Sequence, residues 1–170
     1  MPLRRPSSAP PPAEFPGGSF PIAPPVEPML AKLTEEIPSA EGFLFEPKWD
    51  GFRAIVFRGG PGEVVIQSRD LRPLDRYFPE LHDVLLREVP DSCVLDGEIV
   101  IAGPHGLEFD ALQLRLHPAA SRVAKLAQAA PSSFVAFDVL AAGGRDVREV
   151  PQGRRRAMLE ELLANSKPPV

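Results

Sequence analysis

The sequence predicts an α+β domain in which helices flank antiparallel sheets. Short runs rich in β-branched and aromatic residues stand beside longer runs whose apolar residues recur at helical spacing. The turn Gly59-Gly60-Pro61-Gly62 joins two of the strand-like runs directly, as in an antiparallel hairpin. The order of the strand-like and helical runs along the chain is typical of an α+β domain.

The chain is expected to divide at residue 28. Residues 1 to 27 are predicted to be a disordered, proline-rich tail, because Pro10-Pro11-Pro12 and Pro24-Pro25 remove backbone donors and no hydrophobic period is visible. A folded arm is the alternative. Residues 28 to 170 form the globular part, which begins at Pro28-Met29-Leu30-Ala31.

Within the globular part, each element follows from the spacing of its apolar residues. Residues 43 to 48 are an apolar approach to a turn. Apolar residues at helical spacing predict a helix over Tyr77 to Val89, and Pro90 closes it. The other predicted helices cover residues 109–116, 119–130 and 153–165, and the predicted strands cover residues 52–58, 63–68, 93–102 and 133–140.

The bulk composition is that of a soluble globular protein. The chain has 170 residues, of which 44% are hydrophobic and 25% charged, enough for one domain with a core. No apolar run approaches the roughly 18 residues that a transmembrane helix needs. In a secretory signal an apolar segment follows the basic residues, but none follows Arg4 and Arg5 here. A cytoplasmic location is therefore expected.

Charge, cysteine and histidine content narrow the possible functions. The net charge of −4 does not predict tight DNA binding by these residues alone, because phosphate binding needs a basic surface. A local nucleotide pocket remains compatible with it. The single cysteine, Cys93, lies in an apolar stretch and is expected to be buried and inert. His82, His105 and His117 show no metal-ligand spacing.

The stretch from Glu46 to Arg53, Glu-Pro-Lys-Trp-Asp-Gly-Phe-Arg, carries the residues suited to chemistry. In a strand, Lys48 and Asp50 point to the same face. Gly51 permits a tight turn and a close approach of the backbone to a phosphate. Lysine titrates at about 10.4 in water, so burial or nearby cations must lower its pKa before the amine can attack phosphorus. The alternative is an exposed turn with a salt bridge between neighbours.

The pattern Lys48-x-Asp50-Gly51-x-Arg53 resembles the signature of covalent nucleotidyltransferases, the class of DNA ligases, RNA ligases and messenger-RNA capping enzymes. Three further blocks resemble the family in the same order: Ser68-Arg69, Leu95-Asp96-Gly97-Glu98 and Phe134-x-x-Phe137-Asp138-x-Leu140. The last two resemble ATP-dependent DNA ligases in particular. The stretch around Lys48 and Tyr77-Phe78-Pro79-Glu80 resembles bacterial ligases of double-strand-break repair. The resemblance implies a partial nucleotidyltransferase (ATP-grasp-like) domain, the adenylation domain of a DNA ligase.

The resemblance also implies a role for each site residue. Lys48 is the catalytic nucleophile, which takes AMP from ATP as a phosphoramide and expels pyrophosphate. Glu46 reads the adenine edge, and Phe137 stacks on the base. Arg53 and Glu98 hold the ribose. Arg69 contacts the sugar and later the 5′-phosphate of nicked DNA. Mg²⁺ is the implied metal cofactor, and Glu98 is the expected metal ligand.

Without the resemblance, several of these side chains have plainer interpretations. Phe137 lies in a predicted strand and is equally suited to the core. Arg69 is suited to a solvated hairpin. Asp96 is expected to shape a turn, and Asp138 to cap one. Glu98 is harder to explain in this way, because a carboxylate inside an apolar strand needs a partner.

The resemblance implies an ATP-dependent DNA ligase that seals nicks or breaks during repair. Its expected partners are nicked or broken duplex DNA and a repair protein, without a membrane, in the bacterial cytoplasm at the nucleoid. A non-catalytic ligase-like module that binds nucleotide or a partner is an alternative, as is an RNA ligase or capping-type enzyme.

Two blocks of the family are not found after Asn165, a Glu-Gly block and a Lys-x-Lys block, and neither is an OB-fold domain. Residues 28 to 170 are therefore expected to be the N-terminal portion of an adenylation domain. Because the missing lysines neutralise the triphosphate in the family, we expect this chain alone to be weak or inactive.

Overall fold

The computed structural model describes residues 14 to 170, and its centre is a five-stranded antiparallel sheet. The strands are β1 Phe52–Arg58, β2 Val64–Ser68, β3 Cys93–Val100, β6 Ser133–Ala142 and β7 Arg145–Asp146, in the spatial order β2-β1-β3-β6-β7. A separate two-stranded hairpin pairs β4 Ala102–Gly103 with β5 Gly106–Leu107. The predicted α+β class with antiparallel sheets is confirmed.

Four helices accompany the sheet in the described part of the chain: α1 Pro79–Glu88, α2 Phe109–Arg115, α3 Ala120–Ala129 and α4 Gln152–Leu162. The helix predicted over residues 77–89 is shorter in the structure, where α1 covers Pro79–Glu88 and Tyr77 ends a 3₁₀ turn, Asp75–Tyr77. Pro79 sets the start of α1, because its ring disfavours a helical conformation in the preceding residue, and Phe78 is accordingly non-helical at φ −133° and ψ 57°. None of the helices in residues 14–170 has the length and apolar character to cross a membrane.

Both faces of the main sheet are covered. On the first face, Ala54, Val56 and Leu95 pack with Leu81 and Leu85 of α1. On the second face, a smaller cluster contains Ile55, Phe57, Val65 and Val94. Side chains alternate between the faces of a strand, so burial on both sides explains why β1 is apolar without alternation from Ala54 to Phe57.

Residues 14 to 26, here called the N-terminal strap, cover part of the second face. The Phe20 ring meets Phe57 edge-on, with 6.1 Å between ring centroids. The fully buried Gln67 side chain accepts from the Val26 N–H at 2.8 Å and donates to the Val26 carbonyl at 2.6 Å. The structure thus differs from the predicted disordered tail and matches the folded-arm alternative, because apolar side chains of the strap fill a face that the helices leave open. The other residues of that tail, 1 to 13, lie outside the described residues.

Residues 43 to 50 contain neither helix nor strand. Strand alternation therefore does not place Lys48 and Asp50, as the sequence argument had assumed; both side chains are exposed. The physical reason is that residues 43 to 50 have no strand beside them, among the described residues, with which to form backbone hydrogen bonds. Strand β1 begins with Phe52 opposite Ile99, and β3 ends one residue later at Val100.

Candidate active site

An open cleft of about 960 Å³ lies beside the N-terminal strap on the second face of the sheet. Residues 26–31 and 46–51 form an irregular wall of the cleft, and Gln152 and Arg155 of α4 also line it. The cleft is lined by all six residues that the sequence singled out: Glu46, Lys48, Arg53, Arg69, Glu98 and Phe137. Four blocks that are distant in sequence therefore meet in one place.

Arg53 of β1 is fixed at the floor of the cleft by Asp96 of β3. Arg53 Nε lies 2.6 Å from Asp96 Oδ1, and Nη2 lies 2.7 Å from Oδ2, which is a bidentate ion pair. Burial lowers the pKa of the Arg53 guanidinium, but the surrounding carboxylates, Asp96 first, outweigh burial and raise the pKa. The expectation that Asp96 shapes a turn was wrong, because the residue lies in the middle of a paired strand.

Glu98 stands directly opposite Arg53 in the pairing of β1 with β3. Its side chain is half-buried, and burial raises the pKa of its carboxyl group, while the positive charges of Arg53 and Lys48 oppose that shift. The nearby Gly51 backbone also opposes the rise in this pKa. Glu98 therefore lies near two cations but forms an ion pair with neither, so its carboxylate is free to contact a ligand.

Gly51 brings the Lys48 segment close to β3. A Cβ at this position would overlap the Ile99 carbonyl oxygen and lie 2.7 Å from Glu98 Cγ. Only glycine fits such a close approach of two backbones. The sequence predicts a close approach of the Gly51 backbone to a phosphate, whereas in the structure the crowding comes from the neighbouring strand.

A β-bulge turns Phe137 into the cleft. Asp138 pairs with Asp96 and Ala136 with Gly97, so Phe137 is an extra residue without a partner in β3. Phe137 and Asp138 consequently both line the cleft, although neighbouring residues of a regular strand face opposite sides. The Arg53 guanidinium carbon lies 4.6 Å from the centroid of the half-buried ring, a cation–π contact. Phe137 is therefore not a plain core residue.

Arg155 of α4 is a cleft residue that the sequence analysis missed. Its Nε and Nη2 lie 2.9 and 2.8 Å from the two carboxylate oxygens of Asp138. The hydrogen bond to Asp138 raises the pKa of Arg155. Asp138 therefore holds an arginine and does not cap a turn. A sequence signal did exist, because Arg155 precedes the buried Leu159 by four residues and thus lies on the buried face of the helix.

Lys48 and Arg69 approach the cleft from its edges. Lys48 lies on the irregular wall, next to Trp49, the only tryptophan of the chain. Arg69 lies in the exposed turn after β2, which is closed by hydrogen bonds from the Leu71 N–H to the Ser68 carbonyl and from the Ser68 N–H to the Arg72 carbonyl. Both cations can move toward a bound anion, because their side chains are exposed.

The carboxylates of the cleft do not form a preformed metal site. In residues 14–170 no group of three or more His, Cys, Asp or Glu side chains is arranged to hold a metal ion. Asp96 and Asp138 are each engaged by an arginine. The other cleft carboxylates are Glu27, Glu46, Asp50 and Glu98, of which only Glu98 is half-buried. Mg²⁺ commonly takes one or two protein carboxylates and completes its shell with phosphate oxygens and water. The arrangement fits an ion that arrives with a triphosphate, and Glu98 is the carboxylate that would hold it from the protein side.

Gly97, between Asp96 and Glu98, has no room for a side chain. A Cβ there would overlap the Val135 carbonyl oxygen and lie 2.5 Å from the Phe134 ring. We expect Gly97→Ala to lower the free energy of unfolding by about 1–3 kcal/mol, because an inserted methyl group strains a packed core. Urea unfolding measures this.

Gly153 provides the matched control for Gly97. It lies in α4, and a Cβ there would meet nothing within 4 Å. Gly153→Ala should raise the free energy of unfolding by up to about 1 kcal/mol, because alanine is the better helix former. Equal effects of the two substitutions would contradict the packing argument.

Comparison with known proteins identifies the family. Residues 28–170 match the family model described as "ATP dependent DNA ligase domain". The fold and the cleft are thus those of a ligase domain, and the chain belongs to the ATP-dependent DNA ligase family. The resemblance drawn from the four sequence blocks is confirmed.

Particular relatives are DNA ligases of mycobacteria. The chain is 55% identical over 149 residues to DNA ligase C2 of Mycolicibacterium smegmatis, covering 88% of the chain and 41% of the relative. It is 52% identical over 147 residues to DNA ligase C of Mycobacterium tuberculosis, covering 86% and 40%. A solved structure of mycobacterial DNA ligase D complexed with ATP and MES matches with a TM-score of 0.54 at 30% identity, covering 71% of this chain and 36% of that one. The chain spans about two fifths of the length of these curated relatives.

Proposed function

We propose that this chain supplies the AMP-accepting cleft of an ATP-dependent DNA ligase, which seals nicks or breaks in duplex DNA during repair. The observation that carries the proposal is the meeting of Lys48, Arg53, Glu98 and Phe137 in one cleft of a ligase-family domain. ATP is the proposed nucleotide, since the family is ATP-dependent and a similar ligase was solved with ATP bound.

In the proposed reaction, the unprotonated Lys48 amine attacks the α-phosphorus of ATP. A nitrogen–phosphorus bond forms, the bond between the α-phosphorus and its bridging oxygen breaks, and pyrophosphate leaves with that oxygen, while the nitrogen releases one proton to solvent. Glu46 reads the adenine edge, and Arg53 and Glu98 hold the ribose. Arg69 contacts the sugar and then the 5′-phosphate of the DNA. Mg²⁺ supplies charge neutralisation at the phosphate oxygens.

Stacking of adenine on Phe137 is supported by the position of that ring. The bulge exposes the ring to the cleft, and the Arg53 contact restrains it from one direction. Base–aromatic stacking contributes about 1–3 kcal/mol in general. A ring already held in place gives up little entropy when the base binds.

The cleft contains both positive and negative side chains, and this balance determines how it can bind a negatively charged triphosphate. Two of its carboxylates are neutralised by arginines, while four belong to no ion pair in the described residues: Glu27, Glu46, Asp50 and Glu98. A triphosphate therefore needs a divalent ion as well as Lys48 and Arg69. This balance is consistent with weak activity of the chain alone.

Nicked or broken duplex DNA is the proposed macromolecular partner, with a repair protein as a further one. The mycobacterial relatives are named DNA ligases, which supports DNA as the substrate. We place the protein in the bacterial cytoplasm at the nucleoid, where such DNA is found.

The proposed function is tested by incubating the chain with Mg²⁺ and either α-labelled ATP or α-labelled GTP. Label from ATP should remain on the denatured protein, at low yield. Preferential labelling by GTP would favour a capping-type enzyme. If Trp49 fluorescence shows that nucleotide binds while no label remains on the protein, the non-catalytic module is favoured.

Ligation is tested separately in a longer host. Residues 28–170 replace the matching segment of Mycolicibacterium smegmatis DNA ligase C2, to which the chain is 55% identical. The hybrid should seal a nicked duplex with ATP. A hybrid that folds and binds ATP yet neither takes up AMP nor seals DNA would contradict the proposal.

A further inference from the structure

Arg155 makes more contacts than a helix surface arginine needs. Besides its bidentate pair with Asp138, its Nη1 donates to the Val150 carbonyl at 2.6 Å and to the Arg148 carbonyl at 3.3 Å. The residue is 8% exposed. One guanidinium therefore ties α4, the segment that precedes α4, and strand β6 together.

The point that Arg155 holds on β6 is the bulge itself. Asp138 follows Phe137 directly, and its Oδ1 also accepts from the Val139 N–H at 2.8 Å. Because Phe137 has no partner in β3, the sheet does not fix its direction. The direction of the Phe137 side chain must therefore be fixed by its neighbours. Arg53 contacts the ring, and Asp138 holds the adjacent backbone.

Charge gives a second reason for the importance of Arg155. Asp138 pairs in register with Asp96, and both carboxylates line the cleft. Each has its own arginine, Arg155 and Arg53 respectively. Without Arg155, the buried Asp138 carboxylate would be left unpaired and would attract the Arg53 guanidinium. Arg53 is also the cation over the Phe137 ring, so its displacement would disturb that ring.

We propose that Arg155 is a positioning residue for nucleotide recognition, which holds Asp138 so that the bulge aims Phe137 at the base. The proposal rests on the proposed function, in which Phe137 contacts adenine. Arg155 itself acts through Asp138 and Phe137 and not on the reacting atoms. It should therefore affect the part of the binding free energy that comes from the base.

The test compares a ligand that has a base with one that lacks it. Trp49 fluorescence follows the binding of ATP and of inorganic tripolyphosphate, each with Mg²⁺, to the chain. Arg155→Lys keeps the charge but loses the two-pronged contact with the carboxylate. We expect it to weaken ATP binding by about fivefold to tenfold and to leave tripolyphosphate binding unchanged.

Two further variants complete the design. Arg154→Met removes the exposed neighbouring arginine and should change neither affinity. In a Phe137→Leu background, Arg155→Lys should have no further effect on ATP binding, since both act on the same contact. Equal weakening of both ligands, no weakening of either, or independent effects of Arg155→Lys and Phe137→Leu would overturn the proposal.

A ligand-free measurement separates this proposal from the proposed function. The NMR signals of the Phe137 ring, assigned with Phe137→Leu, should shift in Arg155→Lys and not in Arg154→Met, while the rest of the spectrum remains folded. Unchanged ring signals would overturn the positioning role. If the wild-type chain does not bind ATP but the Phe137 signals still shift in Arg155→Lys, the proposed function is contradicted and the positioning of Phe137 is supported.

Discussion

Lys48→Ala should abolish the covalent attachment of AMP. We expect the label from α-labelled ATP to fall to background, a loss of more than about 10³-fold, because removing a nucleophile removes the covalent step itself. Among the residues that line the cleft, Lys48 is the sole lysine. The measurement is label retained on denatured protein after incubation with Mg²⁺.

Two variants make the Lys48 result specific. Lys32 lies on the same irregular segment but does not line the cleft, so Lys32→Ala should keep the wild-type label. Lys48→Arg retains a cation that can contact phosphate, but a guanidinium stays protonated and cannot attack phosphorus. It should bind ATP without taking up label. Label on Lys48→Ala would disprove the assignment of the nucleophile.

Arg115→Met should lower the free energy of unfolding at least as much as any other single substitution considered for stability. The side chain is 1% exposed, and its Nη2 lies 2.5 and 2.6 Å from the two carboxylate oxygens of Glu80. It also donates to the carbonyls of Tyr77 and Ala130. Removing it takes away the cation that neutralises Glu80 and a donor to each carbonyl, and only Ser132 still donates to the Glu80 carboxylate. We therefore expect the free energy of unfolding to fall by about 3 kcal/mol, the lower end for a broken buried pair because Glu80 is partly exposed.

Urea unfolding checks this prediction, with Arg156→Met as the matched control. Arg156 pairs with Glu160 across one helical turn, with the side chains 43% and 63% exposed. The control should lose about 0.5 kcal/mol or less. Replacing Glu80 by methionine together with Arg115 should recover part of the loss, since no unpaired charge remains. A cost no larger than that of Arg156→Met would show that the buried network does not stabilise the fold.

Most elements of the fold could be predicted from the sequence. Strand β1 has the predicted bounds, and helices α2, α3 and α4 agree with prediction to within a turn. These elements follow from the spacing of apolar residues over ten or so positions, which is local information. Cys93 is fully buried as predicted, and burial raises the pKa of its thiol to about 12.

The site could be predicted only as a set of residues. The four blocks indicated which side chains belong to the cleft, while the roles of those side chains stay predictions. The sequence did not indicate that the strap would fold onto the sheet, since its prolines conceal the few apolar residues that do the packing. It also assigned Asp96 to a turn, because an Asp-Gly pair is typical of turns.

The sequence by itself determined most of the secondary structure, the family blocks and the candidate nucleophile, since each depends on residues close together in the chain. Tertiary structure alone decided the bulge that turns Phe137 into the cleft and the arginine that pairs with each buried carboxylate. Asp96 meets Arg53 across 43 positions, and Glu80 meets Arg115 across 35. Such pairs depend on strand register and helix packing, which form only when distant segments are brought together, and no local pattern records them.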